Sequence, residues 1–145
     1  KSDALPDGGF PREVAVQMQS GLAADREPFL EGFMTNFFSA DGTLMITEQE
    51  LRAALDLAAK ADLEAAVACI VAWLEDFTAD LERVDVPVLV IHGDSDAIVP
   101  VEVSGARSAA LVADGTLVTL ANGPHGINVS HADAFNDVLL EFLRR

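Results

Sequence analysis

The run Val88-Leu-Val-Ile91, entered from Pro87 and closed by Gly93, leaves few architectures open. A short, uninterrupted stretch of apolar and β-branched residues between two breakers reads as a strand covered on both faces. Strands of that kind are parallel, and parallel strands need a crossover helix between them. The following residues supply one. Positions 101–111 carry a helical pattern, Gly115 breaks it, and Thr116–Leu120 forms a second strand pattern. A last helix is predicted over 132–143, with Phe135, Val138, Leu139 and Phe142 on one face and Asp133 near its positive N-terminus. The alternation of strand, helix, strand and helix predicts the α/β class.

The first half has a different character and is predicted to be helical to about Glu82. Pro11 suits the first turn of a helix running to about Leu22. The segment Asp25-Arg-Glu-Pro28 starts the next. In it Phe29, Leu30, Phe33, Met34, Phe37 and Phe38 recur with a helical period. That stripe can pack a core or wall a substrate site, and core packing is the ordinary use. Ala40-Asp-Gly42 marks a turn. Thr47-Glu-Gln-Glu50 has the form of a capping box for a helix to about Lys60, and Asp62 caps another through Trp73. A short helical turn is expected over 78–82. The boundary falls within 76–85, giving a helical segment over 1–84 and a β-α-β-α segment over 85–145.

Composition removes several functions. The chain has 145 residues and is half apolar, enough for one packed domain. Its formal net charge of -15 repels phosphate backbones and argues against nucleic acid as partner. The acidic surface reads as a solvated face, with attraction of cations as its other use. No apolar run reaches the roughly 20 residues of a membrane span, and the N-terminus has no signal-peptide pattern. A single cysteine, Cys69, excludes an internal disulfide and fits a reducing, cytoplasmic setting. It lies in an apolar helical stretch and is expected to be a buried packing residue. The first residue is Lys1 rather than Met, which predicts a processed or excised chain.

Chemistry is concentrated in the second half. His92-Gly-Asp-Ser-Asp96 ends the first strand, and Gly123-Pro-His-Gly126 follows the second. A carboxylate can orient an imidazole, fix its tautomer and stabilise its cation. Asp96 and His125 therefore make an acid–base pair. The segment from Phe77 through Ile91-His-Gly-Asp-Ser-Asp-Ala-Ile-Val-Pro100, with Gly123-Pro-His-Gly126 and His131-Ala-Asp-Ala-Phe135, resembles the C-terminal part of an α/β-hydrolase. The branch it looks like is the cofactor-free haloperoxidase, perhydrolase and aryl-esterase group. The resemblance is specific over 77–145. Over 1–76 it is looser and resembles that group's helical cap. It implies a truncated α/β-hydrolase, a cap followed by two parallel strand–helix units, with Asp96 as triad acid and His125 as triad base. Such enzymes take their nucleophile from a Gly-x-Ser-x-Gly elbow. None exists here, and neither does an oxyanion-hole segment. The seven serines are at 2, 20, 39, 95, 104, 108 and 130. Ser95 is nearest to the acid and reads as a turn residue.

The missing nucleophile opens a second use of the same side chains. Asp94, Asp96 and His125 are ligand types for a divalent metal, zinc or manganese, whose bound water would replace the serine. His92, Asp94 and Asp96, spaced by two, share a face if the strand continues past Gly93. Singly, His92 is the more ordinary buried strand residue and His131 a first-turn helix residue. Two strands alone leave an open edge, which predicts a homodimer. The expected function is a hydrolase of activated carboxyl or phosphoryl esters, acting on a small molecule through metal-bound or Asp–His-activated water. The alternatives are a piece of a serine esterase or perhydrolase that needs its nucleophile half, and a non-catalytic oligomeric scaffold. Nothing in the residues singles out a substrate contact.

Overall fold

The computed structural model describes residues 11–145. The predicted helical segment begins with α1 (Arg12–Ala24) and α2 (Arg26–Phe37). Pro11 precedes the first helical residue, and its carbonyl accepts from the amides of Val14 and Ala15. Its missing N–H is one that a helix start would leave unpaired anyway.

The first half is not helical throughout. After α2 the chain makes a small antiparallel hairpin, β1 (Ser39–Ala40) with β2 (Thr43–Leu44). Asp41 and Gly42, the two residues between the strands, have φ of 48° and 77°. Asp-Gly is the pair that tolerates two consecutive left-handed residues in a two-residue turn. The turn expected at 40–42 is thus the tip of a hairpin. Pairs of two residues are too short to leave an alternating pattern in the sequence.

The next two helices start where their caps are. In α3 (Glu48–Ala58) the Glu50 amide donates to Thr47 Oγ1 at 3.2 Å and the Thr47 amide to Glu50 Oε2 at 2.8 Å. Both halves of the capping box are formed. In α4 (Leu63–Ala72) the Ala65 amide donates to Asp62 Oδ1 at 2.9 Å. The Arg26 Nη2 group closes the far end of α3 by donating to the carbonyls of Ala58 and Ala61 at 2.9 and 2.7 Å. Ala15, Leu22 and Ile70 form the buried centre of the helical half, with Met18, Phe29, Leu30, Val67 and Leu74 packed against it.

Cys69 corrects an expectation. It is exposed, because α4 buries only the face that meets α1, and Ile70 occupies that face. An apolar helix need not be buried all round.

The second half follows the predicted order. After α5 (Thr78–Leu81), β3 (Val88–Gly93) pairs in parallel with β4 (Gly115–Leu120), in register from Val88 opposite Gly115 to Gly93 opposite Leu120. The connection is not one helix over 101–111. A 3-10 turn at Val101–Val103 stops at Ser104, where φ is -136° and ψ -87°, and α6 (Gly105–Leu111) begins anew. Two further helices follow, α7 (Ile127–Ser130) and α8 (Ala132–Leu143). Phe135, Val138, Leu139 and Phe142 are the half-buried stripe of α8, while Leu140 and Leu143 face out. Both α6 and α8 pack on the two-stranded sheet. β3 is half-buried along Val88–His92 rather than fully buried, and among the described residues only β4 pairs with it. No helix among the described residues is long and apolar enough to cross a membrane.

Candidate active site

The end of β3 and the loop after β4 are pressed together by two glycines. A Cβ on Gly93 would lie 2.1 Å from the Gly123 carbonyl oxygen. Only glycine allows the two backbones so close. Two bonds then lock the loops in place: the Asp94 amide donates to Leu120 O at 3.1 Å and the Ser95 amide to Gly123 O at 3.0 Å. Asn122, with φ of 54°, turns the chain into the histidine loop.

This junction brings Asp96 and His125 into contact although 29 residues separate them. His125 Nδ1 donates to Asp96 Oδ2 at 2.7 Å. The other carboxylate oxygen, Oδ1, accepts from the amides of Ile98 at 2.9 Å and Val99 at 2.8 Å. The Asp96 side chain is 2 % exposed and that of His125 31 %. Burial pushes the Asp96 carboxyl up. The bonds from His125 and from the Val99 and Ile98 amides outweigh it, and the group is held below the usual carboxylate range. Asp96 is thus an anion, and the His125 proton sits on Nδ1. In the neutral form of such a ring the second nitrogen, Nε2, keeps its lone pair.

His125 lines a cavity of about 970 Å³. Its other walls are α2, parts of α1, Trp73 and the acid loop at 97–99. Phe29 and Phe33 stack with ring centroids 6.0 Å apart, Phe37 follows at 6.0 Å, and Phe37 meets the His125 ring edge-on at 4.6 Å and 79°. Three of the six large residues of the predicted stripe therefore face the cavity. Phe29 also packs against the core, the ordinary use expected of the stripe. Phe38 turns away, is buried, and contacts Gly126, whose amide donates to Phe37 O at 3.0 Å. A Cβ on Gly126 would fall 2.3 Å from the Phe38 ring, so this glycine lets the histidine loop dock on the end of α2.

The metal expectation fails on geometry. Asp94 is exposed and its carboxylate accepts from Ser95 Oγ at 3.2 Å, so it does not join Asp96 and His125 as a third ligand. β3 ends at Gly93, and His92, Asp94 and Asp96 do not line one face of a strand. Both Asp96 oxygens already accept protein hydrogens. Among the described residues no group of three or more His, Cys, Asp or Glu side chains is arranged to hold a metal ion.

The remaining candidates are placed as follows. Ser95 is a turn residue bonded to Asp94. Ser104 and Ser20 donate to backbone carbonyls within their own turns, and Ser2 lies outside the described residues. His131 Nδ1 is 2.9 Å from Ser130 Oγ at the start of α8. Asp96 has a fourth close neighbour, which the sequence grouped with it only as a possible metal ligand. His92 Nε2 lies 3.1 Å from Asp96 Oδ2 and 2.9 Å from the Val99 carbonyl. The spacing of four residues around a tight turn was the sequence trace of the contact itself.

Known proteins place this arrangement. No family model matches the chain. A non-heme chloroperoxidase of Kitasatospora aureofaciens is 36% identical over 149 residues, covering 100% of this chain and 54% of the relative. A bifunctional esterase/perhydrolase of Acinetobacter calcoaceticus is 34% identical over 151 residues, covering 99% and 53%. Among solved structures, a bromoperoxidase from Bacillus anthracis superposes with a TM-score of 0.95 at 38% identity, covering 100% of this chain and 53% of that one. The chain spans about half the length of the curated relatives it matches. With a parallel β3–β4 pair and an acid–histidine junction at its C-terminal ends, the chain has the fold of the C-terminal part of an α/β-hydrolase and resembles the non-heme haloperoxidase and perhydrolase group.

Proposed function

We propose that these residues supply the acid, the base and one apolar wall of a serine-dependent ester-hydrolysing site, with the nucleophile on a segment outside the 145 residues. The observation that carries this is the 2.7 Å bond from His125 Nδ1 to a buried, ionised Asp96, made by a histidine that lines an aromatic cavity. His125 Nε2 takes the proton of a serine hydroxyl as it attacks the ester carbonyl, then returns it to the leaving alkoxide. Asp96 keeps the ring in the required tautomer and stabilises its cation. The substrate class is a small carboxylic ester with an apolar group for the Phe29, Phe33 and Phe37 wall. One relative is an esterase/perhydrolase by name, which supports this class.

The chain with a separately expressed segment carrying a Gly-x-Ser-x-Gly elbow tests the reading. Turnover of a chromogenic acetate ester is expected only when both are present, and it is lost in His125→Ala. It persists in a chelator. Turnover by the chain alone that a chelator abolishes would overturn the proposal.

The homodimer predicted from the unpaired strand is a separate proposal. The free edge of β3 supports it, and the net charge of -15 opposes it by self-repulsion. Sedimentation decides: a dimer at micromolar concentration supports strand pairing between copies, and a monomer removes it.

A further inference from the structure

Asp96 Oδ2 has two imidazoles on it. His125 Nδ1 approaches at 2.7 Å and His92 Nε2 at 3.1 Å. The His92 nitrogen is also 2.9 Å from the carbonyl oxygen of Val99. A carbonyl and an ionised carboxylate only accept, so His92 Nε2 must carry a proton. We propose that His92 is a positioning residue for the Asp96–His125 pair: its Nε2–H, donated to Val99 O, lies 3.1 Å from the carboxylate oxygen that His125 uses. The proposal rests on the reading of His125 as the base.

The geometry closes a ring. The Val99 amide donates to Asp96 Oδ1 at 2.8 Å, the Val99 carbonyl accepts from His92, and His92 reaches back to Asp96 Oδ2. The last residue but one of β3 is thereby tied to the acid loop, and the loop to the acid. The His92 side chain is 13 % exposed, so little water competes for these bonds. Its ring is held from the other side by Gly105 at the start of α6, where a Cβ would come within 2.6 Å of His92 Nδ1. The groups facing His92 are Asp96 and, across it, His125. An N–H dipole 3.1 Å from the oxygen that His125 uses draws on the same negative charge. The bond to His125 is weaker with His92 present than it would be alone.

NMR of the full chain tests this in two steps. Long-range proton–nitrogen spectra report imidazole tautomers through carbon-bound protons. His92 is expected as the Nε2–H form, and finding the Nδ1–H form would overturn the proposal. The His125 tautomer, read in the same spectrum, separately tests the base reading. The second step compares His92→Phe with His92→Gln. Phenylalanine removes the donor, and the His125 Nδ1 proton is expected to move downfield as Asp96 gives it the whole oxygen. Glutamine keeps an N–H at the same reach and is expected to restore the wild-type position. A His125 proton unmoved in His92→Phe, in a protein whose other amides stay native, would show that His92 only props the turn at Val99.

Discussion

At the scale of single residues, Asp96 combines two roles that make separate predictions. It accepts from His125, and it accepts from the two amides that close its own loop. Asp96→Asn keeps the shape and removes the charge. Hydrolysis by the combined protein should fall by about 10⁴-fold, since an amide at this position favours the wrong imidazole tautomer. The same change alters acid stability. The carboxyl is held below its ordinary value, so it stabilises the fold above about pH 3.9, where the unfolded chain ionises. That contribution is lost as pH falls through the lower folded value. Urea midpoints of wild type and Asp96→Asn should therefore differ at neutral pH and converge in the most acidic samples. Gly93 makes a simpler case. A methyl group there meets the Gly123 carbonyl oxygen at 2.1 Å, and backbone cannot yield like a side chain. Gly93→Ala should lower stability by about 3 kcal/mol or more in urea unfolding and spread the acid and base loops apart.

At the scale of elements, caps and stripes behave differently from strands. The α3 capping box is local, and the sequence Thr47-Glu-Gln-Glu50 is sufficient to form it. Thr47→Ala should cost about 1 kcal/mol by chemical denaturation and leave the active-site loops unchanged. The aromatic stripe of α2 was legible as a stripe. Which of its members face the cavity was not, because that depends on where α1, Trp73 and the acid loop come to rest. Phe37→Ala removes the ring that holds the edge of His125, and two effects follow. Stability should drop by about 2–4 kcal/mol, and KM for esters with bulky apolar groups should change more than for acetates. The break between the 3-10 turn and α6 also escaped the sequence, since residues 101–111 contain no proline and a helical apolar pattern runs through them. Gly105, just after the break, leaves room for the His92 ring, which a Cβ there would meet at 2.6 Å.

At the scale of the whole molecule, charge and incompleteness of the sheet dominate. With nine basic against 24 acidic residues, the uncompensated carboxylates repel one another in the compact state more than in the unfolded one. Raising salt to a few hundred millimolar shortens the screening length to well under about 8 Å and should raise the melting temperature, in contrast to a protein held by surface ion pairs. Among the described residues the sheet has two strands, β3 and β4, while the bromoperoxidase it superposes on is nearly twice as long. The Asp96–His125 pair sits at the C-terminal ends of those strands, and on the proposed function a nucleophile from a further segment meets His125 across the cavity.

The sequence by itself determined the class, the alternation of β3, α6, β4 and α8, the helix caps and the pairing of Asp96 with His125. Each of these is written in local periods, cap residues or short motifs, which need no knowledge of distant contacts. Only the tertiary structure decided what Asp96 touches. It separated Asp94 from the site by ending β3 at Gly93, exposed Cys69, and turned Phe37 onto His125. It also set His92 on the same oxygen as His125. Those outcomes depend on two backbones meeting at Gly93 and Gly123, a contact across 30 residues that no local pattern records.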